Sequence, residues 1–224
     1  MTTKTIIAAI AAKNFNSLSY EEIKKLFGEK IAEQVGYKQN NPHHCYDLWG
    51  HTVAVVESVK ALQLNEEERP ILLVAALLHD MGKPEVAMEK KGRMVFYNHE
   101  AASASAAAQL LKKWGFSDKE EREICFFIRN HGKFMPYKFA EELQGKHSPF
   151  LKEICKEEVA SLYNQLANEY GDGFSLRTFN LLIDLCVADV EAQAEEAWIN
   201  GKLVDTRKRK IARLLAIKAI AAEL

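Results

Sequence analysis

The stretch that most constrains this chain is "LLVAALLHDMGKP", residues 72–84. A run of leucine, valine and alanine ends in His79 and Asp80, then breaks at Gly82 and Pro84. An apolar helix here carries an adjacent imidazole and carboxylate to its end. Gly82 and Pro84 then turn the chain away and leave the pair open to a ligand. Such a helix needs a sizeable core around it. The chain can build one, with 224 residues of which 48% are hydrophobic and 27% charged.

The remaining pattern is helical. Five prolines and few alternating runs predict an all-α protein. Ser19 and Glu22 form a capping box that opens "YEEIKKLFGEKIAEQV", and Ser117 and Glu120 form a second before "DKEEREICFFIRNH". Further helices are predicted in "LWGHTVAVVESVKALQ", "NEEERPILLVAALLHD" and "NHEAASASAAAQLLKKWG"; the alanines of the last predict a central place. Helices resume around 150–170, in "SLRTFNLLIDLCVADVEAQAEEAW" and in "DTRKRKIARLLAIKAIAAEL". The Lys-Gly turn before "RMVFY" predicts a small β-hairpin near 90–97, or an extended loop. There is no internal repeat. The simplest organisation is an N-terminal helical extension over 1–36, a main domain over 37–200, and a C-terminal helix over 201–224 packed on that domain.

Composition narrows the class. A formal net charge of -1 calls for neither nucleic acid nor membrane. No apolar stretch nears the ~20 residues that a membrane span needs, and "MTTKTIIAAIAAKNF" reads as a surface helix, not a signal peptide. Cys45, Cys125, Cys155 and Cys186 show no CxxC spacing and read as small buried hydrophobes in a reducing compartment. A cytoplasmic protein with no membrane partner is expected.

Four of the seven histidines recur where predicted helices begin or end. His51 lies in "LWGHT", His79 precedes Asp80, His99 opens "NHEAA", and His131 closes "RNHGK". Asp189 sits in the apolar "LLIDLCVADVEAQ". A buried carboxylate needs a partner, and a divalent metal held by imidazoles and carboxylates supplies one. Each residue alone is weak: a lone histidine is more often a satisfied core residue, and Asp189 alone can cap a helix or pair with an arginine.

In order, "YDLWGHT", "AALLHDMGKP", "NHEAASA", "IRNHGK" and "CVADVEAQ" resemble the motifs of the HD superfamily of metal-dependent phosphohydrolases, from about Pro42 to Gln193. One His-Asp dipeptide would carry nothing, but five ordered motifs are specific. The chain is similar in particular to the HD domain attached to bacterial transfer-RNA nucleotidyltransferases and to free-standing relatives of it. The glycine-rich strand and paired aspartates of the nucleotidyltransferase head are missing here, so nucleotide addition is not implied.

The resemblance implies a helical bundle and an enzyme. It implies that His51, His79, Asp80 and Asp189 hold one metal. His99 and His131 match the two further histidines of two-metal members, with Asp80 bridging; in the alternative, one metal binds and these two contact phosphate or water. Asp80 and Lys83 are then the catalytic residues. Lys83 also faces the substrate phosphate, unless it is a solvated surface lysine. His44 is a second substrate contact or a loop residue. Arg129 and Lys133 either make the cleft positive or are merely solvated. His43 and His147 read as surface residues, and the basic run 207–210 as the wet face of the last helix.

The chemistry follows from the ligand types. A metal neutralises phosphate oxygens and lowers the pKa of its water from 15.7 to roughly 7, and two metals about 3.5–4 Å apart divide nucleophile and substrate oxygens between them. Histidines mixed with carboxylates suit Fe, Mn, Co, Ni or Zn over Mg or Ca. Fe or Mn is favoured by the resemblance. The expected activity is hydrolysis of a phosphomonoester or phosphodiester of a nucleotide or RNA end, a 2′,3′-cyclic phosphodiester being one candidate, by hydroxide generated at the metal. The rivals are a single-metal phosphatase resembling 5′-nucleotidases and a non-catalytic nucleotide-binding module. Specificity belongs to the loops at 84–98 and 132–150.

Overall fold

The computed structural model describes residues 2–40, 44–135, 154–199 and 202–224, with the backbone alone at 197–199 and 202–204. The chain opens with α1 (Thr3–Ala11), a 3-10 turn at Phe15–Ser17, α2 (Tyr20–Phe27) and α3 (Glu29–Ala32). The capping box at Ser19 forms as the sequence predicts: Glu22 N donates to Ser19 Oγ, and Ser19 N donates to Glu22 Oε2 at 2.8 Å. The single helix expected here is divided at Gly28, whose φ of 101° lies outside the helical range. α4 (Leu48–Ala61) is capped by Asp47, which accepts from Gly50 N at 2.7 Å. α5 (Glu68–Leu78) follows, and every residue from Ile71 to Leu78 is buried. A helix with no polar face is stable only inside, and α1, α4, α7 (His99–Trp114) and α8 (Asp118–Asn130) pack around this one.

Between α5 and α7 the chain makes the turn 79–82, α6 (Lys83–Val86) and a hairpin of β1 (Met88–Lys90) with β2 (Arg93–Val95). Pro84 does not break the chain, as the sequence reading has it. It sits in the first turn of α6, where its missing N–H costs nothing. The hairpin lies slightly earlier than expected, turning at Lys91 and Gly92, both at positive φ, which suits a two-residue connection. Gly82 meets the N-terminal part of α7 so closely that an added Cβ would lie 2.4 Å from Ser103 N.

α9 (Lys156–Tyr170) meets α8 edge to face, the ring centres of Phe126 and Tyr170 lying 4.9 Å apart, and Tyr163 of α9 packs in the same way, at 5.1 Å, on Phe174 in the turn before α10 (Leu176–Glu191). The helix expected to run on to Trp198 stops at Glu191. Strand β3 (Glu196–Ile199) then pairs antiparallel with β4 (Lys202–Asp205), and α11 (Thr206–Ala221) returns along α10 and α9. This second hairpin is absent from the sequence reading. Cysteine burial also differs: only Cys186 is buried, Cys125 is partly so, and Cys45 and Cys155 are exposed because they precede helices in loops. One apolar core joins α1 and α2 to the central helices and α11. Among the described residues no helix is long and apolar enough to cross a membrane.

Candidate metal centre

The helix ends converge on one point. His51 stands in the first turn of α4, His79 caps α5, Asp80 follows it, His99 begins α7, His131 caps α8 and Asp189 lies in the last turn of α10. All six sequence-predicted ligands are therefore brought together. Among the described residues, His51, His79 and Asp189 offer ligand atoms within 4.8 Å of one another, as do His79, Asp80 and His131.

Backbone carbonyls orient the rings. His79 Nδ1 lies 2.8 Å from Ala76 O, His99 Nδ1 2.8 Å from Phe96 O, and His131 Nδ1 2.7 Å from Ile128 O. His51 Nδ1 reaches Ala192 O at 3.4 Å, next to the end of α10. A carbonyl only accepts, so each Nδ1 carries the hydrogen and each Nε2 turns a lone pair inward when the ring is neutral. Those lone pairs face one another: His51 Nε2 is 3.3 Å from His79 Nε2, and His99 Nε2 is 3.2 Å from His131 Nε2. Two acceptors at that separation repel unless a proton or a metal lies between them.

Asp80 stands in the middle, 2% exposed. Its Oδ2 is 3.3 Å from His51 Nε2 and 3.2 Å from His79 Nε2, while Oδ1 is 3.2 Å from His99 Nε2 and 3.8 Å from His131 Nε2. Among the described residues neither oxygen has a hydrogen bond of good geometry. Asp189, its side chain 15% exposed, adds Oδ1 at 3.0 Å from His51 Nε2. A buried carboxylate without proper hydrogen bonds, ringed by imidazole lone pairs, is a donor set for cations.

The electrostatics agree. Burial opposes charge on Asp80, but the positive field of His79 and Lys83 holds its carboxyl well below the usual range. Burial opposes charge on Asp189 too, and His51 outweighs it in the same direction. Burial would lower His51, yet Asp189 and Asp80 raise it to about 9, so in the metal-free protein a proton occupies this point. Burial, with the fields of His79 and His99, pulls His131 down to about 4.

Lys83 is not a solvated surface lysine. It is 4% exposed, with Nζ 2.6 Å from Asp80 Oδ2, 2.9 Å from Gln39 Oε1 and 5.5 Å from the centre of the Phe96 ring. His44 packs its ring 5.2 Å from that of His51, and burial and the field of Lys83 keep it neutral. Arg129 and Lys133 are exposed. His43 and His147 lie outside the described residues, as does most of the loop 132–150.

Gln39 was not singled out in the sequence, where it sits in a polar break without a motif. It is 2% exposed, and among the described residues its Nε2 has no partner. The amide assignment is fixed by Lys83, because an ammonium only donates and must face the oxygen. Gln193 was also missed, and Lys210, read with the run 207–210 as the wet face of the last helix, is instead partly buried. Lys210 Nζ donates to Gln193 Oε1 at 2.6 Å, and Gln193 Nε2 approaches Asp189 Oδ2 at 3.5 Å.

A family model for the HD domain matches residues 48–189, more than half of the chain. No curated protein matches it. The matched segment begins at the start of α4 and ends at Asp189, so it contains all six converging residues.

Proposed function

The chain belongs to the HD domain family, in general one of metal-dependent phosphohydrolases, and on that premise we propose that it hydrolyses a phosphomonoester or phosphodiester of a nucleotide or RNA end at a centre of two divalent metals. One observation carries this reading. The two oxygens of Asp80 face different pairs of imidazoles, Oδ2 toward His51 and His79 and Oδ1 toward His99 and His131. That division fits a carboxylate shared between two cations, with Asp189 completing the first set. The mix of nitrogen and carboxylate donors suits Fe, Mn, Co, Ni or Zn, and the likeness to the family favours Fe or Mn among them.

A metal held there neutralises phosphate oxygens and makes water acidic. The chain's own groups do the rest. Asp80 in the metal-free protein is the counter-charge of Lys83. Once that carboxylate is committed to a cation, the ammonium is free to meet phosphate charge. Gln39 keeps Lys83 in place with its oxygen and offers the unpartnered Nε2 as a further donor. His44, neutral and with an Nδ1 that has no partner among the described residues, offers a third polar contact. A 2′,3′-cyclic phosphodiester is one candidate substrate. A second reading, a single-metal phosphatase, is favoured by His99, which stands outside both tight ligand groups and is 17% exposed at its side chain.

The test is reconstitution. Protein stripped of metal and reloaded with Mn, Fe, Co, Ni, Zn or Mg is assayed on a panel of phosphoesters. Hydrolysis restored by transition metals, at about two equivalents per chain, is expected. Asp80→Ala should abolish turnover and lower metal content. Full activity and full occupancy in that variant would sink the reading, saturation at one equivalent with maximal activity would give the single-metal form, and metal binding without turnover of any ester would leave a binding module.

A further inference from the structure

Helix α11 buries Thr206, Leu214, Ile217 and Ala221, and Lys210 falls in the same stripe at helical spacing. Its neighbours Lys208 and Arg209 are exposed. A lysine on a buried stripe must bring its ammonium to a polar place. Lys210 reaches the Gln193 amide, and because an ammonium only donates, the amide oxygen faces Lys210 and its NH2 faces Asp189. Among the described residues this neutral amide is its hydrogen-bond partner, and it forms no ion pair there. Lys83, by contrast, has Asp80 at 2.6 Å. Burial pulls the Lys210 ammonium down to about 8, with Asp189 raising it and Lys83 lowering it, so it remains a cation at neutral pH within reach of both fields.

We propose that Lys210 is a substrate-binding residue of this centre, placing its ammonium on a phosphate oxygen beside Asp189 and selecting esters that carry two negative charges. The proposal rests on the phosphohydrolase reading and adds the charge class of the substrate. With the imidazoles neutral, as ligands must be, Asp80, Asp189 and Glu100, whose Oε2 lies 3.3 Å from His99 Nδ1, bring one negative charge each and Lys83 one positive, a balance of minus two. Lys210 brings that balance to minus one. More of the charge of any bound metal is then left for the substrate, and a phosphomonoester dianion answers it better than a singly charged diester. Lys210 lies beyond residues 48–189, so this contact is a feature of the chain's own terminal helix and not of the matched domain.

Calorimetric titration of the metal-loaded full chain with inorganic phosphate and with dimethyl phosphate, at about pH 7.5 where phosphate is mainly dianionic, tests this. Lys210→Met should weaken phosphate about tenfold, the scale of one charge-assisted hydrogen bond, and dimethyl phosphate less than about threefold. Metal content and melting temperature should stay parental. Lys210→Arg should recover most of the loss, and Lys208→Met should change nothing. Lys210→Gln replaces Lys210→Met if the latter does not fold. Parental phosphate affinity in the neutral variants, an equal loss for both probes, or a parent that does not bind phosphate would each overturn the proposal. The ester panel reads the hydrolase reading separately: a parent that binds phosphate through Lys210 yet hydrolyses nothing refutes that reading alone, and one that hydrolyses esters with parental phosphate affinity in Lys210→Met refutes only this proposal.

Discussion

At each histidine of the centre a backbone carbonyl decides which nitrogen is left for a metal. His51 shows the consequence. Its folded, metal-free pKa of about 9 means that at neutral pH its Nε2 holds a proton, which a metal must displace. His131, pulled down to about 4, has no proton to lose. Metal affinity should therefore rise about tenfold per pH unit between about pH 7 and 9 and level off above. A chelator competition across that range measures it, and an affinity flat over the range would remove His51 from the ligand set. Lys83 carries a second prediction. Its removal strips the nearest cation from a buried carboxylate, which costs about 3–5 kcal/mol when nothing replaces it. Lys83→Ala should thus lose stability chiefly in the metal-free protein, while the metal-loaded variant keeps its metal and turns over perhaps ~10²-fold more slowly. Parental turnover on an authentic ester would show that Lys83 does not face the substrate. The convergence of the six residues was legible because side-chain chemistry and motif order both appear in a sequence. The burial of Lys83 and the roles of Gln39 and Lys210 were not, because they depend on which loop or terminal helix closes over the site; for Lys210 the stripe through Thr206, Leu214 and Ile217 was the one readable sign.

Element boundaries were legible wherever local chemistry sets them. Both Ser–Glu capping boxes form, and Glu120 Oε2 accepts from Ser117 N at 2.8 Å. They were not legible where a distant contact sets them. Helix α10 ends near the Ala192 carbonyl that approaches His51, a contact across 141 residues. The second hairpin did leave a local sign, Asn200-Gly201 between two short β-forming runs, which the helical pattern upstream obscured. The decisive packing between elements is at Gly82. A Cβ there would lie 2.4 Å from Ser103 N and 2.7 Å from Ala102 C, backbone atoms that move only with α7 itself. Since α7 begins with His99, any push at Gly82 also shifts that imidazole away from Asp80. Gly82→Ala should cost about 1–3 kcal/mol of stability and reduce metal retention on the His99 side. Ser103→Ala, which removes only the 2.9 Å bond from Gly82 N, should cost about 1 kcal/mol and keep its metal. Urea denaturation with metal analysis separates the two; equal effects would mean that the close approach is not what positions α7.

Across the whole molecule the centre is a cross-link. Its six residues come from α4, the turn after α5, and helices α7, α8 and α10, so separating these elements breaks the donor set. The metal-free protein must instead hold two imidazole pairs Nε2 to Nε2 at 3.2–3.3 Å around a buried carboxylate without good hydrogen bonds. Metal binding relieves that arrangement only in the folded state, because the ligands are far apart in an unfolded chain, and it must therefore raise stability. At a free metal concentration ~1,000-fold above Kd the gain is about 4 kcal/mol. For a chain of this size that is a rise of about 8–16 °C in Tm. Calorimetry of chelator-treated and metal-reloaded protein reads this directly. His131→Ala should keep part of the rise if two cations are held, because His51, His79 and Asp189 remain together. Asp80→Ala should abolish most of it, since the one group that faces both imidazole pairs is gone. An equal rise in Asp80→Ala and the parent would mean that metal stabilises the protein from somewhere other than this convergence of helix ends.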